Sequence, residues 1–134
     1  MIGIAEHGFH GDAARLQFAF SHAVAGLKAK FPGKPLVWVH PGLYFRKRGL
    51  PLASDDCYRG MLEYAQQSGV LLERNVSYGL LSDELLPVVD NTLLVTGADA
   101  HTLHDLRVWQ QAIGASPQPA VPLSRPAAGS FAVL

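Results

Sequence analysis

The sequence predicts a parallel α/β fold, and three observations lead to this expectation. Short apolar runs typical of buried strands alternate with stretches in which apolar residues recur at helical spacing. Ionisable residues follow these apolar runs. In parallel α/β proteins the functional site lies at the carboxyl ends of the strands, where such residues are expected. The 134 residues suffice for one domain with a substantial core. We therefore expect a single domain over residues 1–134, built from four β/α units.

The first two units occupy the N-terminal part of the chain. The run MIGIAEH predicts a strand, and Asp12 can cap the helix that follows it, which ends at Pro32 and Gly33. The apolar residues of this helix recur at near-helical spacing, at Leu16, Phe20, Val24 and Leu27. The run PLVWVHPG predicts the second strand, which Pro41 ends, and the polar segment LYFRKRGLPLAS after it is expected to be a loop.

The other two units follow the same pattern. Ser54 is the predicted N-cap of a helix. The apolar side of that helix comprises Met61, Leu62, Tyr64 and Ala65. VLLERN predicts the third strand, and a short helix is expected after it from about 82 to 89. NTLLVTG predicts the fourth strand. Thr102 with Asp105 resembles a capping box at the start of the last helix. Residues 115–134 are rich in proline and are expected to form a C-terminal tail without helix or strand.

Composition argues against several classes of protein. Eleven basic and eleven acidic residues give no net charge, so we expect neither nucleic acid nor an anionic membrane as a partner. The single cysteine, Cys57, excludes an internal disulfide. No apolar run reaches the roughly 18 residues of a membrane span, and MIGIAEHGFHGD lacks the pattern of a signal peptide. The default expectation is a cytoplasmic protein.

Residues that can bind metal ions stand where each predicted strand ends. They are His7 after the first strand, His40 after the second, Glu73 and Asn75 in the third, and Asp99 and His101 after the fourth. Imidazole and carboxylate together suit zinc, manganese or iron. Any one of these residues alone is more often a loop hydrogen-bonding residue or a helix cap than a metal ligand. Their repetition at four strand ends favours a metal site.

These same runs carry a family resemblance. VWVHPG, VLLERN and LLVTGADAH, followed by TLHDL, resemble in order and spacing the second half of the PHP (polymerase and histidinol phosphatase) family of metal-dependent phosphoesterases. Members have a strand ending in His-Pro, a later strand ending in a Leu-Glu-x-Asn type sequence, and a Gly-Ser-Asp-x-His motif before a helix. The resemblance extends from about residue 1 to about residue 114. It implies a distorted seven-stranded, TIM-like β/α barrel with two or three divalent metal ions at its mouth.

The resemblance also implies particular ligands. His40 would be the metal ligand of the His-Pro motif, and Asp99 and His101 the paired ligands of the final motif. His7 matches the histidine that closes the strand before His-Pro, although GIAEHG is also similar to an earlier Thr-Glu-His or Thr-Asp-His motif. Both alignments make His7 a ligand candidate, with His10 as the fallback.

The chain departs from the family pattern in two places. The opening His-x-His motif and the separate mid-chain metal-binding glutamate are absent. Four β/α units are also too few to close a seven-stranded barrel, which would leave open sheet edges. We therefore expect a truncated or divergent C-terminal half of a PHP barrel, with its edges covered by missing sequence, by a homo-oligomer or by a partner chain.

The function implied is hydrolysis of a small phosphate ester, as in histidinol-phosphatase-like enzymes, by metal-activated water. Asp99 would act with the metal ions, and His10 is a candidate to protonate the leaving group. The residues predicted to bind the phosphate group are Arg46, Lys47 and Arg48. Glu73 and Asn75 are expected to contact the metal ligands without binding the metal themselves. Two alternatives stay open: a metal-binding module without catalysis, and a structural domain whose strand-end polar residues are only caps.

Overall fold

The computed structural model describes residues 1–52, 54–75, 89, 93–97, 107, 111 and 131–133, and it has mixed α/β architecture. In chain order the elements are β1 Ile2–Ala5, α1 Ala13–Lys30, β2 Leu36–Trp38, α2 Leu43–Lys47, α3 Asp56–Gln67, β3 Leu71–Asn75, β4 Leu94–Gly97 and β5 Phe131–Val133. The alternation of strands and helices predicted from the sequence is confirmed at this level. A seven-stranded barrel stays a prediction.

All five strands in the described part of the chain belong to one parallel sheet, in the order β4-β3-β2-β1-β5. The first four strands are neighbours both in the chain and in the sheet, as in successive β/α units. Strand β5 pairs with β1 on the side away from β2, with Phe131 opposite Gly3. Parallel pairing places the carboxyl ends of these strands at one edge. We call this edge the rim; it begins after Ala5, Trp38, Asn75, Gly97 and Val133.

Two segments differ from the sequence-based expectation. The expected polar loop after β2 contains the short helix α2, because Leu43, Tyr44 and Phe45 are buried in the core while the basic residues after them face outward. The expected tail without strand or helix contains β5, which pairs with a strand more than a hundred residues away in sequence. Local propensity reports poorly on such pairing, because β-structure depends on tertiary partners.

The helix caps follow the predicted residue types. Asp12 caps α1, its side chain accepting from the Arg15 N–H at 2.8 Å. The cap of α3 is Asp55 and not Ser54: the Asp55 carboxylate accepts from the Tyr58 N–H at 2.9 Å. The helix expected at about 82–89 and the helix expected to begin at Thr102 lie outside the described residues, apart from isolated positions.

Helices α1 and α3 cover one face of the sheet. The predicted inner face of α1 is buried at Leu16, Phe20 and Val24. The ring of Phe20 lies 4.5 Å from that of Trp38 in β2, and Trp38 in turn meets Tyr58 of α3 edge-on at 5.9 Å. These aromatic contacts connect both helices to the central strand. No helix in the described part of the chain has the length and apolarity needed to cross a membrane.

Two Phe→Ala substitutions on α1, one at a buried position and one at an exposed position, should lower the free energy of unfolding by different amounts. Phe20→Ala should lower the free energy of unfolding by about 3–5 kcal/mol, because it removes a fully buried ring and leaves a cavity beside Trp38. Phe18→Ala, at a side chain that is 75% exposed, should change it by less than about 0.5 kcal/mol. Urea unfolding of both variants measures the difference. Equal losses would contradict the assigned helix face.

Candidate functional site

Two of the predicted metal ligands, His7 and His40, lie side by side at the rim. They follow β1 and β2, which are neighbouring parallel strands. Their ring centroids are 5.7 Å apart and the ring planes are inclined by 44°. His7 is half-buried and His40 is buried. The sheet topology therefore brings together two imidazoles that are separated by more than thirty residues of chain.

The backbone of His40 explains how its ring reaches His7. Side chains alternate along a strand, and Trp38 faces the helices, so a regular continuation of β2 would point His40 the same way. Instead His40 has a φ of 52°, the one positive φ at a non-glycine residue in the described part of the chain. The left-handed conformation costs roughly 1–2 kcal/mol for an L-residue. It turns the imidazole to the side of the sheet where His7 and Glu73 lie.

The carboxylate of Glu73 stabilises this backbone conformation. It is buried, and its Oε2 accepts the His40 backbone N–H at 2.7 Å. The same oxygen is 3.8 Å from His40 Nε2. The fully buried Asn75 lies opposite Gly97 in the β3–β4 pair, at the end of β4. Both residues are thus buried close to the rim, and their role in supporting metal ligands stays a prediction.

Sequence reasoning missed a second buried carboxylate, that of Glu6. The side chain is fully buried: Oε1 accepts from the N–H of Gly42 at 2.8 Å and of Tyr44 at 3.3 Å, and Oε2 accepts from the Trp38 indole N–H at 3.0 Å. Burial raises the pKa of Glu6 to about 7, and the hydrogen bonds from Trp38 and the backbone oppose this only in part. The signal available in the sequence was alternation, which places Glu6 on the same face as Ile4, toward the helices.

The predicted phosphate-binding residues differ in what they contact. Arg46 and Lys47 are exposed at the end of α2. The Arg48 guanidinium is stacked 3.8 Å from the centre of the Tyr44 ring and donates to the Phe9 carbonyl at 3.0 Å. Arg48 therefore connects the end of α2 to the segment between β1 and α1. His10, the predicted proton donor, is exposed in that segment, directly after Phe9.

The described residues at the rim include two side chains of a type that binds metal ions, His7 and His40. Across the described part of the chain, no three His, Cys, Asp or Glu side chains are arranged to hold such an ion. Asp99 and His101 lie outside the described residues, just after Gly97 at the end of β4. Imidazole donors suit zinc and iron, and added carboxylates suit manganese. His7 and His40 thus fit such an ion in donor chemistry, and Asp99 and His101 stay the predicted further ligands.

Comparison with known proteins gives no relative for this chain. It matches no protein-family model, no curated protein and no solved structure. The resemblance to the PHP family therefore depends on the motifs themselves, which are His40 with Pro41, Glu73 with Asn75, and Asp99 with His101.

The environment of Glu6 predicts a pH dependence of stability. The folded pKa of about 7 lies above the ordinary value of 4.5, so the folded protein binds the proton more tightly than the unfolded chain. The resulting stabilisation is fully present below pH 4.5 and is lost as the pH rises toward and through 7. It amounts to about 3 kcal/mol at most, from 1.4 kcal/mol per pKa unit.

Urea unfolding of the wild type and Glu6→Gln across pH 5 to 8, with chelator present, measures this contribution. Comparing the two proteins cancels the contribution of histidines whose surroundings the substitution does not alter, such as the exposed His10 and His22. We expect the wild type to lose stability relative to Glu6→Gln as the pH rises. A difference that does not change with pH would contradict the raised pKa.

Proposed function

We propose that this protein is a metal-dependent phosphoesterase of the PHP type, which hydrolyses a small phosphate ester. The observation that carries the proposal is the adjacency of the His7 and His40 imidazoles, 5.7 Å apart at the rim, with the buried carboxylate of Glu73 beside His40. In parallel α/β proteins this edge is where ligands bind, because loops from several strands meet there. The order of the His-Pro, Leu-Glu-x-Asn and Asp-x-His motifs supports the same family.

In this proposal His7 and His40 would bind metal ions together with Asp99 and His101, which come after Gly97, the last residue of β4 in the same sheet. Zinc, manganese or iron would supply a Lewis acid that neutralises phosphate charge and activates water. The role of Glu73 is to hold the His40 backbone by accepting its N–H.

The basic residues of the α2 segment would hold the substrate. Arg46 and Lys47 are exposed and can orient toward a phosphate group at the rim. Arg48 retains part of its guanidinium for a ligand, since it has five N–H donors and the Phe9 and Tyr44 carbonyls each take one. His10 would donate a proton to the leaving oxygen. The five parallel strands are interpreted as part of a seven-stranded barrel whose edges a second copy or a partner chain covers.

The deciding experiment is elemental analysis of protein purified without chelator. The wild type should contain more than one equivalent of zinc, manganese or iron, and His40→Ala and Asp99→Ala should lose it because each removes a ligand. His22→Ala is the matched control, because His22 is an exposed histidine on α1 and should leave the metal content unchanged. A folded wild type without metal would refute the proposal.

Turnover separates the hydrolase from the alternative of a catalytically silent metal-binding module. The metal-loaded wild type and His22→Ala should hydrolyse p-nitrophenyl phosphate, and His40→Ala should lose that activity in proportion to its lost metal. Metal binding without turnover of this or other phosphate esters would instead favour the silent module. That alternative draws on the missing His-x-His motif.

A further inference from the structure

We propose that Glu6 is a positioning residue for His40, which it controls through the backbone of the turn from His40 to Tyr44. Glu73 serves the same turn from the other side of the sheet. The consequence for metal binding depends on the function proposed above, whereas the effect on the orientation of the His40 ring does not. Glu6 lies in the stretch GIAEHG, for which the family resemblance implies a role only for His7, and the role proposed for Glu6 follows from its contacts.

Carboxylates accept three of the four N–H groups between His40 and Tyr44, and the fourth, that of Leu43, donates to the His40 carbonyl at 3.0 Å. His40 and Gly42 both have positive φ, 52° and 97°, so their N–H groups are not aligned as in a strand or a helix. Pro41 has no N–H to contribute. The His40 N–H goes to Glu73, and the N–H groups of Gly42 and Tyr44 go to Glu6. A left-handed residue persists only where its surroundings stabilise it, and here two buried carboxylates do so.

Glu6 connects this turn to the packed side chains of the core. Its Oε2 is held by the indole of Trp38, which packs against Phe20 and Tyr58. Its Oε1 accepts from two backbone N–H groups in the first turn of α2, those of Gly42 and Tyr44. Tyr58 restrains the same turn from the helix side, because its hydroxyl donates to the Pro41 carbonyl at 3.1 Å.

The turn is closely packed at Gly42. A Cβ at this position would lie 2.9 Å from Leu52 and 3.0 Å from Tyr58, and its φ of 97° is unfavourable for any other residue. The turn is therefore both closely packed against Leu52 and Tyr58 and bound to Glu6. Loosening the Glu6 contacts would let the backbone at His40 relax toward the strand conformation, which directs the imidazole away from His7.

The substitution Glu6→Gln tests the proposal with little change in volume. An amide has one acceptor oxygen and one donor group, whereas the carboxylate of Glu6 accepts on both oxygens. Whichever way the amide is turned, its NH₂ faces either the Trp38 indole N–H or the N–H groups of Gly42 and Tyr44. Glu63→Gln, at an exposed residue of α3, is the matched control.

The first measurement is NMR of the full chain with chelator present. The wild type should show a nuclear Overhauser effect between the His7 and His40 rings. In Glu6→Gln this effect should disappear, and the amides of Gly42 and Tyr44 should exchange with solvent at least about tenfold faster, while the Val24 amide in α1 stays protected. A Glu6→Gln protein that is less stable but keeps the ring contact and the slow amides would overturn the proposal.

The second measurement is a Zn²⁺ titration of the same three proteins. Glu6→Gln should bind Zn²⁺ about 10–100-fold more weakly than the wild type, the effect typical of residues that orient a ligand, and Glu63→Gln should bind as the wild type does. Lost ring contact with unchanged affinity would overturn the link to metal binding. If the wild type binds no Zn²⁺, the proposed function fails, and the NMR result still decides whether Glu6 positions His40.

Trp38→Phe provides a second variant if Glu6→Gln does not fold. It leaves the Glu6 carboxylate bound to Gly42 and Tyr44 but removes the indole N–H that holds Oε2. Faster exchange at Gly42 and Tyr44 with a weakened ring contact, in the same direction as for Glu6→Gln but smaller, would support the proposal. An unchanged turn in this variant would count against it.

Discussion

The carboxylate of Glu6 joins the core of this protein to the backbone of its rim. One oxygen accepts from the Trp38 indole within the aromatic core, and the other accepts from Gly42 and Tyr44 at the start of α2. A carboxylate without exposure to water is tolerated only where its hydrogen bonds are made, so the three donors and the acceptor must keep their relative positions. The path of the chain from β2 into α2 depends on this interaction.

The candidate site depends on the same turn. His40 occupies a left-handed conformation that would be unfavourable in isolation, and Glu73 takes up its N–H. The cost of that backbone conformation is offset by buried hydrogen bonds on both sides of the sheet. In return the imidazole lies beside that of His7 and not among the aromatic side chains of the core. Local strain of this kind, held by surrounding contacts, is typical of functional sites built on rigid elements.

The fold could be predicted where the signals are local. The spacing of Leu16, Phe20 and Val24 predicted the buried face of α1, and Asp12 predicted its cap, because both depend on residues within a few turns of one helix. The helix α2 and the strand β5 could not be predicted in this way. In α2 three core residues precede a basic run that dominates the local composition, and β5 owes its conformation to pairing with β1.

For the candidate site, the sequence by itself determined which residue types stand at the strand ends: histidines and carboxylates follow the apolar strands. Because the strands are parallel, these ends lie at one rim. Only the tertiary structure decided what each side chain does there. It buried Glu6 against Trp38, raised its pKa to about 7, and turned His40 toward His7 through a positive φ. The desolvation of Glu6 and the left-handed backbone of His40 both depend on neighbours that are distant in sequence. A pattern of residue types along the chain therefore predicts neither of them.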